Sequence, residues 1–157
     1  MPSYRGHLIG GLVAGSLAIG ALTSACMIQP TFYGCAEWLF ICLLGSLFPD
    51  IDIKSKGQKV FYWLLFGIYL YLFNNGQYQE MCMLSFLALS PMLVRHRGLF
   101  HQWWFVIGFP SALCLMACHH YTSYQTMLYI NTFFFIVGAL SHLVLDFKFG
   151  KVMNKKK

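Results

Sequence analysis

Acidic side chains are almost missing from this chain: five Asp and Glu occur among 157 residues, and charged residues of both signs make up only 10%. An ordinary soluble domain carries about 25%. With 58% of its residues hydrophobic and a mean hydropathy of +0.59, the chain has more apolar surface than a water-exposed fold can hide. No Ser/Pro-rich linker, block of like charge, low-complexity run or internal repeat divides it, so the expectation is a single polytopic membrane domain over residues 1–157. There is also no C-x-x-C pair among the six cysteines, Cys26, Cys35, Cys42, Cys82, Cys114 and Cys118. The signature of a zinc ribbon or a redox motif is therefore absent, and most of these thiols read as small hydrophobes.

What is present is a series of apolar runs, Leu8–Ile28, Phe32–Phe48, Val60–Phe73, Met81–Val94, Trp103–Cys118 and Thr126–Phe147. They predict an all-α integral membrane protein, a bundle of about six transmembrane or partly re-entrant helices. The third and fourth runs fall short of the roughly 17–25 residues of a spanning helix, so they tilt, extend through polar flanks or re-enter. Arg5 ahead of the first run imitates a signal sequence, and Leu22-Thr23-Ser24-Ala25-Cys26 approximates a lipoprotein cleavage site with its leucine one position too far from the cysteine. At about 20 residues the run is long enough to span, and it is expected to be retained as the first helix.

Counting six crossings places residues 1–7, 49–59, 95–101 and the tail after Phe147 on one face. All eleven basic residues then lie there: Arg5, Lys54, Lys56, Lys59, Arg95, Arg97, Lys148, Lys151, Lys155, Lys156 and Lys157. The positive-inside rule makes that face cytoplasmic and both termini with it. The net charge of +6 is thus topological, and no nucleic-acid partner is expected. The expected location is the inner membrane of a bacterium, with the lipid bilayer as partner.

The same parity brings His7, Asp50, Asp52, His96, His101, His142 and Asp146 to the cytoplasmic helix ends. His142 and Asp146 are four apart, hence on one helix face; His96 and His101 flank Gly98; Asp50 and Asp52 alternate where the second helix ends. Ionisable groups beside hydrocarbon are costly and usually functional. Three carboxylates in one place need a cation, and imidazole with carboxylate is a ligand set for zinc and related divalent ions. Seven candidate ligands exceed the four of a structural zinc, which allows one or two ions, the latter about 3.5–4 Å apart. Taken singly, each residue reads more simply: His7 as an interfacial histidine, Pro49-Asp50 as a turn, Trp103 and Trp104 as an aromatic belt. His119, His120, Glu37 and Glu80 lie away from the cluster. Gly10, Gly11, Gly15 and Gly20 are expected to serve helix packing.

Tyr4-Arg5-Gly6-His7, the stretch from Leu44 to Asp52, His96-Arg97-Gly98-Leu99-Phe100-His101 and the stretch from Gly138 to Asp146 together resemble the bacterial inner-membrane family of metal-dependent hydrolases, some of whose members are described as regulated by the LexA repressor. The resemblance covers nearly the whole chain. It matches the family's His-Arg-Gly-x-x-His motif and terminal His-x-x-x-Asp motif, and departs at Phe100, where many members carry a small hydroxyl residue. The His-x-x-x-Asp element is also similar to one in the zinc-dependent phospholipase C group, although the N-terminal tryptophan ligand of that group is lacking. These resemblances imply a metal-dependent hydrolase acting on a phosphoester or lipid-linked substrate. Asp50 or Asp52 would be the general base, with Arg5, Arg95 and Arg97 placed to engage phosphate. The three arginines serve equally as topology determinants. The alternative is a non-catalytic metal-binding membrane protein, whether transporter, sensor or structural. Against transport, the candidate ligands gather at one rim rather than the bilayer midplane.

Overall fold

The computed structural model describes residues 4–50, 56–78, 81–82, 84–85, 88 and 100–154. Among them are five α-helices and no strand: α1 (Tyr4–Ser24), α2 (Phe32–Leu47), α3 (Lys56–Asn74), α4 (Trp103–His120) and α5 (Gln125–Asn154). The expected helix at Met81–Val94 lies largely outside the described residues, although the positions seen within it are helical. By length and composition, three segments among the described residues can cross a membrane: Tyr4–Ser24, Phe32–Asp50 and Thr122–Phe147. Helix α3 has 19 residues, because polar Lys56 to Lys59 extend the short apolar run.

Local chemistry sets the helix limits. The Thr31 hydroxyl caps α2 by accepting from the Gly34 N–H at 3.1 Å, satisfying one of the donors a helix start leaves open. At the other end Pro49 has no N–H to continue the ladder, and the chain tightens into a 3₁₀ turn over Phe48–Asp50. Helices α1 and α3 both end in paired reverse turns. Met27 donates to the Leu22 carbonyl at 2.9 Å and Cys26 to Thr23 at 3.0 Å, with Cys26 at φ 56°. Gln77 donates to Leu72 at 3.0 Å and Gly76 to Phe73 at 3.1 Å, with Gly76 at φ 67°. This is the geometry of a left-handed helix stop, natural for glycine and strained for cysteine.

The bundle is built on small residues facing inward. The buried positions of α1 are His7, Gly11 and Gly15, whereas Ile9, Leu12, Val13 and Leu17 face outward. Such a distribution suits a helix in lipid, where close backbone approach rather than apolar burial drives association. A Cβ on Gly11 would meet the Ser46 side chain at 2.8 Å, and one on Gly15 the Cys42 Sγ at 3.1 Å. The Cys42 thiol donates to the Gly11 carbonyl at 3.2 Å. Tighter still is the α2–α5 crossing, where a Cβ on Gly45 would strike the Phe135 carbonyl and one on Gly138 the Cys42 carbonyl. Gly10 packs as expected, against the Leu145 side chain of α5, whereas Gly20, contrary to expectation, meets nothing within 4 Å. Beneath the rim that carries the histidines, Phe48, Phe61 and Phe100 form an aromatic core. Further from that rim, Asn131 of α5 donates to Glu37 of α2 at 2.7 Å, a polar tie between two helices that the sequence did not pair.

Candidate metal centre

Each packed seam continues, at helical spacing, into a polar residue. Along α1 the face of Gly15 and Gly11 ends at His7; along α2 that of Cys42 and Ser46 ends at Asp50; along α5 that of Gly138 ends at His142 and Asp146. The close crossings therefore bring these side chains to one place. His101 enters from the turn before α4, two residues ahead of Trp103.

His142 is fully buried. Its Nδ1–H donates to the Ser46 carbonyl at 2.7 Å, a bond that fixes ring orientation and leaves Nε2 facing the cluster. Nε2 lies 3.5 Å from Asp50 Oδ1 and 3.4 Å from Asp146 Oδ2. His101 Nε2 stands 3.5 Å from the same Asp146 oxygen and 3.9 Å from Asp50 Oδ1. The other Asp146 oxygen, Oδ1, lies 3.6 Å from His7 Nε2. The His7 and His142 rings are stacked, with centroids 3.7 Å apart. Two groups, His7 with Asp50 and His142, and His101 with His142 and Asp146, present ligand atoms within 4.8 Å of one another.

These separations carry chemical information. A charge-assisted N–H···O⁻ bond measures about 2.7–2.9 Å, and the His–Asp ion pairs, at 3.4–3.9 Å, are longer. Donors about 2.0–2.1 Å from a tetrahedral zinc stand about 3.3–3.4 Å apart, close to the values seen. His101 Nε2, His142 Nε2 and Asp146 Oδ1 are buried without a hydrogen-bond partner, a costly state that a cation would relieve; His7 Nδ1 and His101 Nδ1 are also unpartnered, and an ion held by Nε2 would leave them so. Protonated histidine is a poor substitute, because two stacked rings so close would repel if both were charged. The donor set thus fits a divalent ion.

Five of the seven expected ligands, His7, Asp50, His101, His142 and Asp146, are brought together. Asp52 and His96 lie outside the described residues, as do Arg95 and Arg97 of the expected phosphate contacts. Arg5 is exposed, and its Nε donates to the Tyr4 hydroxyl at 3.3 Å. His119 and His120 are exposed at the far end of α4. Phe100, the departure from the motif, is fully buried, its ring 5.5 Å from Phe48 and 5.0 Å from Phe105. The Phe100 ring thus belongs to the aromatic core. The Ser46 carbonyl was not foreseen, since a backbone acceptor leaves no trace in side-chain pattern; the small residues beside it are the only hint.

Compared with known families, the chain matches the model described as YdjM inner membrane protein over residues 1–149. No curated protein and no solved structure matches it.

Proposed function

The chain belongs to the YdjM inner membrane protein family, and we propose that it is a membrane-embedded, metal-dependent hydrolase with its His/Asp site at the cytoplasmic rim. The full reading is one multi-pass domain over residues 1–157, of about six helices, with both termini cytoplasmic. The observation that carries the chemistry is His142: one ring nitrogen is held by the Ser46 carbonyl at 2.7 Å and the other faces two carboxylate oxygens at 3.4–3.5 Å.

His101, His142 and Asp146 would hold a first ion, most reasonably zinc, and three protein donors would leave it a position for water. Asp146 turns its second oxygen to His7, so a second ion would use His7, with Asp52 and His96 as candidates to complete it. A bound divalent ion supplies Lewis acidity, polarising a phosphoryl or carbonyl oxygen and acidifying water near neutral pH. The chain's own residues do the rest. The Ser46 carbonyl orients His142, and the buried His7 ring packs on it and keeps water from that side. Asp50, the more exposed carboxylate at 21% against 15% for Asp146, is placed to accept the proton of attacking water, a role Asp52 can share. Arg5, Arg95 and Arg97 are the candidates to engage a phosphate, which favours a phosphoester or lipid-linked substrate.

The test is elemental analysis of the purified protein beside His142→Ala, with hydrolysis of a phosphodiester probe measured on both. One or two equivalents of metal and turnover in the parent, both lost in the variant, are expected. Metal without turnover on any phosphoester would reduce the site to a structural clamp, and a metal-free parent would remove the centre.

A further inference from the structure

Below the aromatic core, between α2, α3, α4 and α5, runs an apolar groove of about 300 Å³. Pro110, Cys114 and Ala117 line it along one face of α4, Leu128 and Phe135 along α5, and Phe48 lies at its upper end. The backbone that carries Phe48 reaches Asp50 two residues later.

The depth of the groove can be read from helix rise. Phe135 is seven residues, about 10 Å, below His142 on the same helix, and Leu128 is fourteen residues, about 21 Å, below it. The groove therefore begins just under the site and runs about 11 Å along the bundle axis. Half a bilayer, headgroup region included, is about 20–22 Å deep, so a chain whose head lies at the rim enters the groove at Phe135 and ends near Leu128. A polyprenyl chain, several times longer, would overrun it. The polar lining of the groove is confined to Asn131 and Thr132, beside which water can sit, and the rest of the wall offers water no partners.

We propose that the groove seats one acyl chain of a bilayer phospholipid whose phosphate lies at the His/Asp cluster. The protein would then take its substrate sideways from the membrane, recognising the chain by depth and the head by charge. The assignment rests on reading the cluster as the reacting site, but the groove itself can be tested without turnover.

Phosphatidylglycerol carrying a photoactivatable diazirine at the end of one chain is mixed into phosphatidylethanolamine–phosphatidylglycerol vesicles holding the full-length protein. Adducts are mapped by mass spectrometry after illumination. Cys114 and Leu128 should be labelled, labelling should fall about tenfold or more in the groove-filling variants Ala117→Phe and Leu128→Phe, and it should persist in Gly67→Ala, where an added Cβ meets nothing within 4 Å. Thermal melting selects the filled variant that folds. Adducts confined to the outward Leu12, Val13 and Leu17, or groove adducts unchanged by filling, would overturn the proposal. Filling-sensitive adducts in a protein that hydrolyses no phosphoester would instead remove the hydrolase reading and leave the lipid seat standing.

Discussion

Asp146 engages the cluster with both of its oxygens, one 3.4–3.5 Å from the Nε2 atoms of His142 and His101 and the other 3.6 Å from His7. A residue so shared should not behave independently of its neighbours. Once one ligand is gone and the ion is lost, removing a second costs little more, the non-additivity typical of groups acting as a unit. His101→Ala and Asp146→Ala are each expected to abolish most bound metal, and the double variant should resemble either single one when metal is measured per folded protein. Small, independent losses would mean that the cluster is only a collection of polar helix ends. A thermal shift on adding zinc provides a second reading, present in the parent and absent in all three variants.

At the scale of helices, the crossing of α2 and α5 decides whether Asp50 and His142 can meet. Gly45 and Gly138 let backbone touch backbone there, and a methyl group on either would fall on a carbonyl of the other helix. The helices would have to separate, since neither obstacle is a flexible side chain. Gly138→Ala and Gly45→Ala should therefore cost several kcal/mol, the range of severe overpacking, and should lower metal affinity even in protein that remains folded. Gly67→Ala in α3 is the matched control, for a Cβ there meets nothing within 4 Å. Its melting temperature in detergent should stay within a few degrees of the parent or rise, as alanine favours the helix by about 1 kcal/mol over glycine.

For the molecule as a whole, the proposed topology of alternating crossings would tie the site to one side of the membrane. His7 near the start of α1, Asp50 just after α2, His101 just before α4 and His142 late in α5 share one end of the bundle, as alternating crossings require. Combined with the segregation of basic residues, this predicts that a reporter fused after Lys157 reports the cytoplasm and that cysteines introduced at Gln77 or Ser123 react with an impermeant reagent added from outside. A periplasmic C-terminus would break the orientation. Outside labelling of a cysteine at His101 would move the site to the other face.

The order of apolar runs, the segregation of charge and the four-residue spacing of His142 and Asp146 were all legible in the sequence, because each depends only on local periodicity and on the cost of burying charge in hydrocarbon. From these alone, four distant segments could be assigned to one rim, and five of the seven candidate ligands are found together there. Tertiary packing decided the rest. That Gly11 and Gly15 mark a close contact while Gly20 marks none depends on which helix lies opposite, and one strand of sequence cannot say. The stacking of His7 on His142, the capture of a ring nitrogen by the Ser46 carbonyl and the Asn131–Glu37 tie join residues 94 to 135 positions apart or involve backbone atoms common to every residue. The groove beneath Phe48 exists only because four helices leave a space between them, and space is a property of the assembly rather than of any segment.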